Sequence, residues 1–294
     1  MFVRAIEIVS QFTRPIHIIE RFYGSQEVYP GAATLFFVNG DGWALTCKHV
    51  ANVLFAAEQL GKRKIEFETE FASMKGKKKE KQIFKELETK YHLSRKTVFE
   101  IKNRFINCVE GKLDLDIINH PDLDVALLHF KNYSKLSCTT FPVFVKDGSN
   151  LKQGKFLCRI GFPFPEFTNF EYIQDANTIN WTEAGRNNTP IFPIEGMLTR
   201  GLVAENGQVV GFELSTPGLR GQSGGPAFDI DGKVWGMQSV TNHLDLDFDV
   251  NKEVVRNGEK KSIRDSAFLH VGHCVHVDIL KSFMQQHKVL FQEE

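Results

Sequence analysis

Three side-chain types capable of acyl-transfer chemistry occur in the order histidine, aspartate, serine, each in a local context that suits a role. Residues 221–226 read Gly-Gln-Ser-Gly-Gly-Pro. Glycine before a serine lets the backbone turn N–H groups toward a developing oxyanion, and glycines after it let a carbonyl approach with no Cβ in the way. Ser223 is therefore the candidate nucleophile. His49 follows the apolar run Gly42-Trp-Ala-Leu-Thr46. A strand end running into a polar turn can hold an imidazole rigidly against a nucleophile. Asp124 heads the run Asp-Val-Ala-Leu-Leu-His-Phe130. A carboxylate buried at the head of such a strand can accept the imidazole N–H, fix its tautomer and stabilise the imidazolium. Asp122 competes for that role, and Asp114 and Asp116 compete more weakly.

These residues need a scaffold. Short β-branched and aromatic runs separated by Gly, Asp or Asn dominate residues 28–56 and 120–240, the pattern of antiparallel sandwiches or barrels. Residues 56–107 break it: they are charged and helix-favouring, with the lysine-rich run Lys75–Lys81 and Ile83, Phe84, Leu87 and Tyr91 at helical spacing. This stretch reads as an insertion packing one face on the body, with a regulatory protein partner as the sharper alternative. Near the end, Ile279, Leu280, Phe283 and Met284 form a helical stripe that Asp278 is placed to cap.

Formal net charge is zero and charged residues make up 24% of the chain, so broad attraction to nucleic acid or an anionic membrane is not expected. Charges at Arg4, Glu7 and Arg14 interrupt the apolar N-terminus, and no window reaches membrane-spanning length. The five cysteines are odd in number and scattered, which fits free thiols and a cytoplasmic location. Asp245, Asp247 and Asp249 lack the glycine and distal glutamate of a calcium loop and read as a solvated loop. No cofactor is expected.

In six segments taken together the chain resembles the trypsin-like (chymotrypsin-fold) serine proteases, closest to the bacterial HtrA/DegP-type protease domain but without a PDZ domain. The segments are Gly42–Thr46 with His49-Val50, Pro121–Leu128, Arg159–Pro163, Leu198–Val203, Gly221–Pro226 with Gly236–Ser239, and Val271–Asp278. The resemblance implies an all-β fold of two six-stranded antiparallel β-barrels with a helical charged insertion and a C-terminal helix. It implies one protease domain over 1–294, with barrels at about 25–140 and 141–277, the insertion at about 56–107 and the helix at about 278–288. By the same resemblance His49, Asp124 and Ser223 form a catalytic triad acting on protein or peptide substrates, with the N–H groups of Gly221 and Ser223 as the oxyanion donors. Ser239, Val240 and Thr241 then line the substrate strand and primary pocket, and Pro217 and Arg220 belong to another pocket wall. The family strand over 271–278 has alternating faces, so His273 is expected to point away from His270, Cys274 and His276, which disfavours a metal site there. No acid stands at Pro217, so a small or apolar P1 residue is expected over a basic one. His243 is the residue that would instead favour an acidic or Gln side chain. The competing reading is a protease-fold module that binds peptides without turnover.

Overall fold

The computed structural model describes residues 1–256 and 259–294. Helix α1 (Val3–Ser10) leads into strands β1 (Thr13–Phe22), β2 (Tyr29–Phe37) and β3 (Trp43–Thr46), and then into helices α2 (Lys48–Met74) and α3 (Glu80–Lys90). Strands β4 (Val98–Phe105), β5 (Val109–Glu110), β6 (Asp114–Asn119), β7 (Ala126–Lys131) and β8 (Lys135–Leu136) complete the first half. The sheet order β4-β1-β2-β3-β7-β6 is antiparallel throughout, and β5 pairs with β8.

The second half contains β9 (Val143–Phe144), β10 (Phe156–Gly161), β11 (Phe170–Ile173), β12 (Thr178–Trp181), β13 (Phe192–Val203), β14 (Val209–Leu214), β15 (Pro226–Phe228), β16 (Val234–Arg256) and β17 (Glu259–His276). Helix α4 (Val277–Gln286) and β18 (Gln292–Glu293) follow. Strands β15-β10-β13-β14-β17-β16 run in that order, and a β15–β16 ladder closes them into a six-stranded barrel. Strands β9 and β18 add to it in parallel, and β11 pairs with β12. The fold is thus the all-β, two-barrel architecture expected, with a helical insertion and a C-terminal helix.

Apolar alternation explains how the halves join. Ile16, Leu35, Phe36, Leu127 and Phe130 from the first sheet share one buried cluster with Phe144, Ile160, Phe228 and Met237 from the second. Phe36 lies against Phe144 at 6.4 Å between ring centroids, so phenylalanine carries the contact across the seam. The insertion has its own small core of Phe67, Ile83, Leu87 and Phe99, which anchors α2 and α3 to β4.

Four local expectations differ from the structure. His49 lies in the first turn of a long helix rather than in a turn, because the chain bends into α2 directly after Cys47. Helix α4 is capped by His276, whose Nδ1 accepts from the Asp278 N–H at 3.3 Å, and Asp278 sits inside the first turn. Asp245, Asp247 and Asp249 lie on β16, in the long hairpin with β17, and not in a loop. A register shift between Gln238 and Val240 accompanies an arrangement in which His273 and His270 line the same cleft.

Candidate functional site

The N-terminus of α2 and the loop before β7 meet where β3 and β7 pair from Thr46↔Ala126 onward. Asp124 lies two residues ahead of β7, with its side chain 27% exposed rather than fully buried. Its Oδ2 stands 2.9 Å from His49 Nδ1, and its Oδ1 accepts the His49 backbone N–H at 2.9 Å. The first N–H groups of a helix lack intrahelical partners and form its positive end, so one carboxylate both orients the imidazole and satisfies the helix start. Ser239 Oγ also donates to Asp124 Oδ2. Burial alone would raise the Asp124 pKa, but the hydrogen bonds from the His49 ring, Ser239 and the His49 backbone hold it well below the usual carboxylate range. The two weaker competitors are engaged elsewhere, since Asp114 accepts from Asn132 Nδ2 and Asp116 pairs with Lys131 at 2.6 Å, and the exposed Asp122 does not line the cleft.

The serine loop is held by hydrogen bonds from Thr34, far away in the chain, and from Gln222 within the loop itself. Thr34 on β2 donates its N–H to the Ser223 carbonyl at 3.1 Å and its hydroxyl to the Gly221 carbonyl at 2.7 Å. Thr34 thereby ties the loop of one half to a strand of the other. Buried Gln222 accepts from Leu219 N at 3.0 Å and donates to the Phe192 carbonyl at 3.0 Å. Gly221 has φ +98°, and a Cβ there would stand 2.6 Å from the Phe162 carbonyl oxygen, so the position needs glycine twice over. Among the described residues no protein acceptor meets the N–H of Gly221 or of Ser223. Ser223 Oγ donates to the Ser239 carbonyl at 2.9 Å, and among the described residues no hydrogen bond joins it to His49.

His49, Asp124 and Ser223 border one open cleft of about 790 Å³, together with Pro217, Arg220, Ser239, Val240 and Thr241. Gly221 lines an adjoining cavity of about 230 Å³ on the other side of His49 and Ser223, where Tyr29–Ala33 form the wall. The triad, oxyanion-hole and substrate-binding residues expected from the sequence therefore line one or the other of two cavities that share His49, Arg220 and Ser223.

Sequence reasoning did not single out Thr34, Gln222, Arg159 or Gln238 for the site. Gln222 stands inside the serine motif with a type that does not announce its burial, whereas only the fold brings Thr34, Arg159 and Gln238 under the loop. Cys47 lies near His49 and Asp124, with donor atoms within 4.8 Å of one another. Burial, with Asp124 second, pushes its thiol pKa well up, and the thiol donates to the Gln238 carbonyl at 3.2 Å, so it is poorly suited to ligate a metal.

A trypsin-like peptidase domain profile matches residues 33–237. No curated protein matches the chain in sequence. Among solved structures, an HtrA-type protease with a tripeptide is similar over 97% of this chain and 62% of its own, at 10% identity and a TM-score of 0.45. The chain thus spans less than two thirds of that protein's length.

Proposed function

Since the chain belongs to the trypsin-like peptidase domain family, with the matched region running from β2 into β16, we propose that it is a serine endopeptidase using His49, Asp124 and Ser223. The observation that carries this reading is the Asp124–His49 pair facing the same cleft as Ser223. Rotation of the Ser223 hydroxyl away from the Ser239 carbonyl brings it to the imidazole, which takes its proton as Oγ attacks the scissile carbonyl. The Gly221 and Ser223 N–H groups receive the oxyanion, and donors of this kind are typically worth about 2.7–4 kcal/mol in the transition state. Imidazolium then protonates the leaving amine, and water hydrolyses the acyl-enzyme by the same steps in reverse. Vacating the Ser239 carbonyl also frees it to accept a substrate N–H.

A fluorophosphonate probe is expected to label Ser223, and Ser223→Ala to lower kcat by about a million-fold. An unlabelled native protein, tested with candidate activators, would sink the enzyme reading.

The Ser223–Ser239 hydrogen bond favours one second reading, a peptide-binding module without turnover. A pull-down separates the two: a peptidase retains intact partners only as Ser223→Ala, whereas a module retains them in both forms.

Five free cysteines support a reducing, cytoplasmic setting, and no helix is long and apolar enough to cross a membrane among the described residues. Regulation through a protein partner at residues 56–107 belongs to the same proposal, supported by the exposed lysines 77–79 between α2 and α3. Deleting that hairpin should abolish partner binding or alter activity; a deletion that changes neither would remove this part of the reading.

A further inference from the structure

Behind the cleft lies a cation that the catalytic proposal does not use. Arg159 on β10 is fully buried, and a guanidinium stays charged at any pH a protein tolerates. Its Nη1 donates to Gln238 Oε1. Its Nη2 donates to the Thr216 carbonyl at 2.9 Å, the Thr216 hydroxyl at 2.6 Å and the Pro217 carbonyl at 3.3 Å. Its Nε has no partner, and among the described residues it pairs with no carboxylate. Gly272 makes the room, because a Cβ there would collide with the guanidinium. Burying a charge on neutral acceptors alone is costly, so such a group calls for an account.

Its effect is to polarise the pocket wall. The Thr216 and Pro217 carbonyls are drawn inward toward Arg159 and away from the cleft, where they would repel an anion. Buried Gln238 lines the cleft, and its amide is oriented by the same bond. With Oε1 committed to Arg159, the donor end Nε2 gives one N–H to the Val240 carbonyl at 2.8 Å and keeps a second. The rim adds Arg220, His243, His270 and His273. Of the nearby acids, Glu213 is paired with Arg200 and bonded by Asn242, whereas the Asp124 carboxylate keeps its charge beside His49, where it is held by hydrogen bonds from the His49 ring and Ser239. The wall of Thr216, Pro217 and Gln238 therefore offers a donor backed by a positive charge that has no carboxylate of its own among the described residues.

We propose that this pocket selects an acidic P1 side chain, whose carboxylate supplies the counter-charge that Arg159 lacks and accepts from Gln238. The inference rests on the peptidase reading and replaces the small or apolar preference expected from Pro217. The carboxylate and its amide differ chiefly in charge, so their ratio isolates the electrostatic term from shape.

The experiment compares internally quenched peptides differing only at P1 (Glu, Asp, Gln, Leu, Lys) on the full chain. In parallel, the binding of uncleaved Glu and Gln peptides to Ser223→Ala is followed by fluorescence anisotropy. Glu is expected to exceed Gln at least tenfold in kcat/KM and in affinity, with Lys poorest. A Leu or Lys preference, or a Glu-to-Gln ratio near one, would overturn the inference. Arg159→Met risks unfolding, so the decisive variant is Gln238→Glu, nearly isosteric and placing a carboxylate against Arg159. It is expected to keep a cooperative thermal transition and bring the Glu-to-Gln ratio to one or below; an unchanged ratio overturns the proposal. Acid-selective binding by Ser223→Ala with no turnover or labelling of wild type would sink the peptidase reading and leave the pocket inference standing. Turnover without acid preference would do the reverse.

Discussion

Each half of the molecule buries an arginine, and the two are treated differently. In the first half, Arg21 on β1 is 2% exposed and meets Glu100 on β4 at 3.3 Å, with Lys64 from α2 reaching the same carboxylate at 3.1 Å. In the second half, Arg159 is equally buried and meets only neutral oxygens. The first site lies between strand, insertion and β12, where Glu100 also accepts the Ile179 N–H at 3.2 Å, and it is closed by protein on every side described. The second backs onto the cleft. A charge matched within the fold is structural reinforcement, whereas a charge left unmatched beside a cavity raises the potential of whatever enters it.

The largest way to test the division concerns the proposed triad. Asp124→Asn keeps the shape of the helix start but reverses the hydrogen-bonding requirement on His49, and kcat should fall about ten-thousand-fold. Steady-state kinetics beside a thermal melt will show whether the loss is chemical; an equal loss of folded protein would move Asp124 to the structural side.

Next, Glu100→Gln removes the carboxylate shared by Arg21 and Lys64. Breaking a buried pair this way should cost about 3–5 kcal/mol in stability. Denaturant unfolding reads that cost, and P1 preference should not change. A shift in P1 preference would show that the two buried cations are not separate devices.

Gly221→Ala meets the Phe162 carbonyl at 2.6 Å and forces φ +98° on a residue with a Cβ. Displacement of the oxyanion donors should lower kcat about a hundred- to a thousandfold with a smaller change in KM. Unaltered kcat would remove Gly221 from that role.

The smallest effect concerns His17, a buried basic group that escapes the arginine problem by giving up its proton. Burial first, and Arg104 second, lower its pKa from 6.5 to about 4. Its ring stacks on Phe167 at 4.0 Å, with Nε2 2.8 Å from the Thr189 hydroxyl. The unfolded chain binds this proton below about 6.5 and the folded chain only near 4, so stability falls as pH drops through that window. After allowance for solvent screening, the loss should be on the order of 2 kcal/mol. Calorimetry between pH 7 and 4 checks it, and His17→Phe should flatten the dependence.

Much of the candidate site was legible in the chain because its requirements are local. A serine turn needs glycines at particular steps, and a positioned histidine or aspartate sits at an apolar strand end. Those demands are written at Gly221–Gly225, His49 and Asp124. The C-terminal helix was legible from its apolar stripe, but its cap was not, since His276 and Asp278 are both plausible neighbours of the first turn. His49 shows the same limit: nothing in Cys47-Lys-His-Val distinguishes a turn from the first turn of a 27-residue helix.

What the sequence alone determined is the order and kind of the candidate site groups, since glycine conformations and strand-end positions are properties of short segments. Only the tertiary structure decided what surrounds them. Thr34 reaches the serine loop across 187 residues of chain, and Arg159 reaches Gln238 across 79. The Ser223 hydroxyl rests on the Ser239 carbonyl, and two histidines of one strand enter one cleft beside a register shift. Such contacts carry no local signature, because a buried charge or a hydrogen bond is defined by what packs around it and not by its neighbours in the chain.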